Sequence, residues 1–189
     1  MRHWLAVLYL ALTGVANAGA AEDWSDLVPA VEALRTGDMQ KLAFYAEPIP
    51  APEGAFLDES GAEMTLAAYE GQWVVLNFWA TWCAPCRVEM PTLSNLQTQM
   101  GGAALQVVTI ATGRNDIAGI DRFFEEIGVT NLPRFTDPRS TFARDFGVMG
   151  LPVTVILNPE GEEVARLMGD AHWDSESALA ILGALVGRE

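Results

Sequence analysis

The sequence predicts a single α/β sandwich, on three observations. Short apolar runs rich in β-branched and aromatic residues, Trp73–Trp79, Leu105–Ile110 and Gly150–Leu157, alternate with segments whose apolar residues recur every three or four positions. The first pattern suits buried strands and the second amphipathic helices. After the last run comes a turn signal, Asn158-Pro159-Glu160-Gly161, then a returning strand-like run and one helix-like segment, an order that implies helices layered on a sheet. The chain has 189 residues, 50% of them hydrophobic, which is enough for one domain with a substantial core. No internal repeat or low-complexity segment divides it.

In chain order, residues 1–20 hold one basic residue, Arg2, no acid, an apolar run Trp4–Leu12, and the small residues Ala16-Asn17-Ala18 and Ala18-Gly19-Ala20. These features predict a secretory signal cleaved after Ala18 or Ala20, with an uncleaved inner-membrane anchor as the alternative. Thr13, Gly14, Asn17 and Gly19 interrupt the stretch of about 20 apolar residues that a spanning helix needs. Residues 21–50 predict a helical extension and a connector. Leu27, Val31 and Leu34 line one helical face, with Ser25 as N-cap, Pro29 early and Gly37 as the stop. The alternating prolines of Pro48-Ile49-Pro50-Ala51-Pro52 favour an extended, polyproline-like link, which places the domain boundary there and the main domain at 51–189.

Within that domain, Ala55-Phe56-Leu57 and Met64-Thr65 flank Asp58-Glu59-Ser60-Gly61 as a hairpin, and Leu66–Glu70 suits a short helix. Ala104–Ala111 reads as a central strand, and Ile117, Ile120, Phe123, Phe124 and Ile127 as the helix after it. Pro133–Thr136 is a short strand, Ser140–Phe146 a helix, Glu163–Leu167 the antiparallel return strand, and Ser175–Leu185 the last helix.

The stretch Phe78–Pro91 carries both cysteines of the chain and two of its six tryptophans. It follows the buried strand Trp73–Trp79. Met90, Leu93, Leu96 and Met100 continue as one helical face, which Pro91 is expected to kink. Cys83 therefore falls at a helix N-terminus, where free N–H groups and the helix dipole favour a thiolate, the attacking species in disulfide exchange. Cys83 is the expected nucleophile. Cys86, one turn deeper, is the expected resolving thiol. A purely structural disulfide is the competing reading in an oxidising compartment, but so small a loop contributes little by loop entropy, and redox chemistry explains the pair better.

Trp82-Cys83-Ala84-Pro85-Cys86 after a buried strand, with Gly150-Leu151-Pro152-Val153-Thr154 opening a later one, resembles the thioredoxin superfamily. Leu76–Cys83, Arg87-Val88-Glu89-Met90-Pro91 and the βα segment from about Ala103 to Thr130 resemble its exported TlpA/ResA/CcmG (DsbE) branch. Gly169–Ser175 is similar to the segment that TlpA-like members carry before the last helix. The resemblance covers Ala51–Arg188 and implies a thioredoxin-like sandwich with an N-terminal hairpin and a central βα insertion. It also implies that Pro152 is cis and faces the cysteines, and that the Leu151 backbone pairs with an extended substrate. Trp82 and Pro85 are expected beside that substrate, Met149 and Leu151 as apolar contacts to it, and Trp79 beneath the site.

Asn77 stands where thioredoxins carry a buried aspartate, and an amide cannot accept the Cys86 proton as a carboxylate does. Glu89 matches the acidic residue of the exported branch and is the expected proton relay, with a solvated helix-surface charge as its alternative reading. Trp173 reads as core.

The function expected is a periplasmic disulfide reductase that works by dithiol exchange, with no cofactor beyond the dithiol and no metal. Resemblance suggests apocytochrome c or copper-site assembly proteins as clients, and a membrane thiol protein as electron donor. A disulfide oxidant or isomerase of the same fold is one alternative. The other is a copper-binding assembly chaperone using Cys83, Cys86 and His172, since soft thiolates suit Cu(I). The formal net charge of -14 makes nucleic acid a poor partner. A monomer is expected.

Overall fold

The computed structural model describes residues 24–187, so the expected signal at 1–20 lies outside the described residues. Eight strands form one sheet, in the order β1-β8-β7-β4-β5-β6-β2-β3. They are β1 (Ala43–Pro50), β2 (Phe56–Leu57), β3 (Glu63–Met64), β4 (Trp73–Trp79), β5 (Leu105–Thr112), β6 (Phe135–Asp137), β7 (Val153–Leu157) and β8 (Glu162–Met168). The helices are α1 (Trp24–Glu32), α2 (Ala84–Met100), α3 (Ile117–Ile127), α4 (Thr141–Asp145) and α5 (Glu176–Val186). β4, β5 and β6 run parallel, while β7 is antiparallel to β4 and β8 to β7.

β4 is buried along its whole length, as its unbroken apolar run predicts. Its side chains alternate between two cores. Trp73, Val75 and Trp79 pack with Met90, Leu93 and Leu96 of α2, with Ile120, Phe123 and Phe124 of α3, and with α5. Val74, Leu76 and Phe78 pack on the other face with Phe56, Phe142 and Phe146. Helix boundaries follow local chemistry. Asp116 caps α3 by accepting from the Gly119 N–H at 2.6 Å, and Gly128 ends it at φ 72°, a conformation that favours glycine. α2 continues through Pro91 to Met100.

The N-terminal extension departs from expectation. Its helix stops at Glu32, leaving Leu34 exposed, and Gly37 at φ 54° opens a 3₁₀ turn instead of closing the helix. The first three residues of the stretch expected as a polyproline connector, Pro48-Ile49-Pro50, are the end of β1, and only Ala51 and Pro52 lie beyond it. Ala43 and Phe44 pair with Arg166 and Ala165, and Ile49 and Pro50 pair with Glu163 and Glu162. The register shifts between Phe44 and Ile49. Prolines lack the N–H a central strand must donate, but an outermost strand tolerates them. The Tyr45 hydroxyl donates to Glu163 at 2.8 Å, and Arg166 holds both oxygens of that carboxylate at 2.7 and 2.8 Å. Leu27, Val31, Met39 and Leu42 are buried in the same core as α2. The extension is part of the sandwich, and residue 51 is not a structural boundary.

Candidate active site

The dithiol sits where β4 hands over to α2. Cys83 is the N-cap of α2, Ala84 and Pro85 fill its first two positions, and the Cys86 N–H donates to Cys83 Sγ at 3.3 Å. Proline is tolerated there because the N–H it lacks would have no partner inside the helix. The two sulfurs are joined in a disulfide. Cys83 retains 6% of its surface and Cys86 none, so only Cys83 can be met from outside. Trp82, beside it, is 67% exposed, and Pro85 is exposed as well.

The β7 end of the site closes by register. Val153 pairs with Phe78, which puts Pro152 level with Trp79 at the cysteine end of the sheet. The Leu151–Pro152 peptide is cis and Pro152 is buried. Leu151 is half-buried against both cores, whereas Met149 is 96% exposed. Trp79 lies fully buried under the site, stacked on Phe124 at 5.5 Å between centroids.

Beneath the cysteines a polar row crosses the apolar strands. Thr154 on β7, Asn77 on β4 and Thr109 on β5 are register neighbours, and all three are wholly buried. Asn77 Nδ2 donates to Thr154 Oγ1 at 2.9 Å and to Glu89 Oε2 at 3.1 Å. Glu89 is buried at 2% exposure, which removes the solvated-surface reading. It lies one turn after Cys86 on the same helical face, and such pairs have Cβ atoms about 5–6 Å apart. Its other oxygen, Oε1, accepts from the Trp173 indole N–H at 2.7 Å.

Burial pushes the Glu89 carboxyl up to about 7, against the pull of hydrogen bonds from Trp173, Asn77 and the Ala171 backbone, and with a further upward push from the Asp170 charge. A carboxyl poised there can take a proton and return it near neutral pH. Asn77 Oδ1 is buried without a partner among the described residues. An amide carries donors as well as an acceptor, so Asn77 can donate to the ionised Glu89 carboxylate, as an ionised aspartate at this position could not.

The structure brings Cys83, Cys86, Trp82, Pro85, Leu151, Pro152 and Glu89 to one end of the molecule. It places His172 on the surface nearby, with Nδ1 engaged to Asp38 Oδ2 at 2.6 Å. Among the described residues, no three His, Cys, Asp or Glu side chains gather as a metal-binding group. Trp173 is core, as read, but its indole also has a polar task that the sequence reading missed, as it missed Thr154. Threonine inside the apolar run Val153–Leu157 and asparagine inside Trp73–Trp79 were the available signals.

The model of the AhpC/TSA family matches residues 48–164. The chain is 33% identical over 119 residues to the thiol-disulfide oxidoreductase ResA of Bacillus subtilis (strain 168), across 63% of this chain and 65% of that protein. It thus spans about two thirds of that relative's length. Among solved structures, it superposes at TM-score 0.64 and 26% identity on a Chlorobium tepidum protein described provisionally as the thiol:disulfide interchange protein DsbE, across 74% of this chain and 97% of that one. A DsbF homologue from Corynebacterium diphtheriae shares the fold at TM-score 0.61 and 24% identity, across 79% and 94%. The sandwich is thioredoxin-like.

Proposed function

Because the chain belongs to the AhpC/TSA family, a family with the thioredoxin-like sandwich described above, we propose that it is a thiol-disulfide oxidoreductase that reduces disulfides in client proteins. One observation carries the reading: a cysteine pair at a helix N-terminus, the first keeping 6% of its surface and the second wholly buried beside a carboxyl poised near neutrality.

In the reduced protein, the Cys83 thiolate is held by the Cys86 N–H and the end of α2; such placement favours an anion by about 0.3–1 kcal/mol, more when partly buried. It attacks one sulfur of the client disulfide. The S–S bond breaks, the other client sulfur leaves as a thiolate and takes a proton from solvent, and a Cys83–client mixed disulfide forms. Cys86 then loses its proton to Glu89 and attacks Cys83 Sγ. The mixed disulfide breaks, the second client sulfur leaves as a thiolate and takes a proton from solvent while Glu89 releases its own, and the Cys83–Cys86 disulfide closes. Two electrons have passed to the client, so a thiol donor must reduce the pair again. Trp82, Pro85, Met149 and Leu151 line the approach, and the Leu151 backbone before Pro152 pairs with the client chain as an added strand does.

The secretory reading of residues 1–20 supports an exported, periplasmic enzyme, and the resemblance to the TlpA/ResA/CcmG branch supports a membrane thiol protein as donor and apocytochrome c or copper-site assembly proteins as clients. No helix among the described residues is long and apolar enough to cross a membrane. The test is asymmetric. Cys83→Ser should abolish reduction of a disulfide substrate such as insulin, whereas Cys86→Ser should attack once and accumulate mixed disulfides in the exported fraction. Trapping by the Cys83 variant alone would reverse the assignment. A reduction potential well above that of the glutathione pool would make the protein an oxidant instead.

A further inference from the structure

We propose that Trp173 is a positioning residue for Glu89, its indole N–H fixing the carboxyl under Cys86 and setting the pH at which that carboxyl takes up a proton. The inference deepens the proposed reaction and rests on Glu89 as the acceptor in its resolving step.

Trp173 is wholly buried, and its Nε1–H reaches Glu89 Oε1 at 2.7 Å. An indole nitrogen donates and never accepts, so this contact strengthens when Glu89 is ionised and weakens when it is neutral. It therefore works against the burial that favours the acid.

The donor is held from several sides. The Trp173 backbone N–H donates to Thr92 Oγ1 at 3.1 Å, and the Thr92 hydroxyl donates to the Glu89 carbonyl at 2.7 Å, which ties the loop to the helix turn that carries the carboxyl. Asn95 Nδ2 on α2 donates to Asp174 Oδ2 at 2.8 Å. On the other flank, His172 pairs with Asp38, and Lys41 donates to the Asp170 carbonyl. The segment Gly169–Asp174 is thus clamped between α2 and the N-terminal extension, and the indole between those clamps has a set direction.

The groups that can act on Glu89 electrostatically are few. From its own helix it meets Cys86, one turn back. β4 and β7 present the neutral Asn77 and Thr154. The loop contributes Asp170, which opposes ionisation, and beyond it lies the exposed Asp38–His172–Lys41 cluster with Asp174. Besides the Ala171 backbone, the donors to the carboxylate among the described residues are the side chains of Asn77 and Trp173.

The test is a carboxyl ¹³C NMR titration of the oxidised full chain, with Glu89→Gln assigning the resonance. Trp173→Phe keeps most of the ring and removes the donor, and should raise the Glu89 midpoint by about one pH unit, the effect of one lost charge-assisted hydrogen bond. A second readout needs no tryptophan variant: the Trp173 indole proton shift should follow the Glu89 midpoint in the wild-type protein and become flat in Glu89→Gln. An unmoved midpoint in folded Trp173→Phe, or an indole signal blind to Glu89, overturns the proposal. Both measurements use oxidised protein without client, so they are independent of turnover. In reduced protein, the pH profile of mixed-disulfide release should move with the midpoint. A moved midpoint with an unmoved release profile supports the positioning and overturns Glu89 as the proton acceptor.

Discussion

At the scale of single residues, Glu89 couples the site to the stability of the fold. Its folded value, about 7, lies above the ordinary 4.5, with burial as the dominant cause. The folded state therefore holds a proton that the unfolded state has released between those two values, and this contribution to stability is present below pH 4.5 and lost as pH rises through 7. The loss amounts to about 3 kcal/mol at 1.36 kcal/mol per pH unit. Glu89→Gln, which keeps an acceptor for Trp173 and cannot ionise, should gain on the wild-type protein as pH rises from about 4.5 to 7. Urea denaturation of both oxidised proteins at about pH 5 and pH 8 checks this, and parallel stabilities at the two pH values would refute it. The same variant should slow mixed-disulfide release more than the first attack, which stopped-flow kinetics can separate. Stability and catalysis pull in opposite directions here, because a buried carboxyl is expensive when ionised and useful only if it can be.

At the scale of elements, two interactions hold neighbours of the site in place without touching it. Asp116 caps α3, whose Phe123 and Phe124 pack on Trp79. Asp116→Ala should cost about 1 kcal/mol in chemical denaturation and leave the reduction potential unchanged. A shifted potential would mean that the packing under the dithiol depends on that cap. The second interaction joins the 3₁₀ turn of the extension to the loop before α5. The hydrogen bond to Asp38 raises His172 above its ordinary value, and the same bond lowers Asp38 below its own. The His172 contribution is present below about pH 6.5 and lost as pH rises through its raised value, while the Asp38 contribution is present above about pH 4 and lost as pH falls through its lowered one. The pair acts between those limits. Both side chains are well exposed, at 63% and 37%, so its worth stays under about 1 kcal/mol and shrinks with salt. Asp38→Asn should lower stability slightly near pH 5.5 and by less near pH 9, in low salt, and an equal loss at both would assign the effect to Lys41 alone.

At the scale of the whole molecule, the extension decides how the domain ends. Leu27, Val31, Met39 and Leu42 are buried against the α2 and α5 side of the sheet, at about 1.5–3 kcal/mol each, and β1 covers the outer edge of β8. Their sum rivals the net stability of an ordinary domain, about 5–15 kcal/mol. A chain beginning at Ala51 should therefore lose cooperative thermal unfolding, and a melt within a few degrees of the full chain would show the extension to be dispensable. The strand-to-helix junction, the cysteine spacing and nearly every strand and helix were legible in the sequence, because each rests on periodicity or turn chemistry within a few residues: the unbroken apolar run of β4, the three- and four-residue spacing of Ile117, Ile120, Phe123, Phe124 and Ile127 in α3, and the Asn158-Pro159-Glu160-Gly161 turn before β8. The rest depends on residues far apart in the chain. Pro48 and Pro50 favour extension in isolation, and only the partner β8, more than a hundred residues on, makes that extension a strand. Resemblance alone marks Glu89 as a proton relay, and its place on the helix suits a surface acid as well, until Asn77, 12 residues earlier, and Trp173, 84 residues later, close over it. Local pattern determined which residues could carry the chemistry. The tertiary structure alone decided that the carboxyl is dry, because desolvation is a property of everything packed around a group and is written in no single stretch of chain.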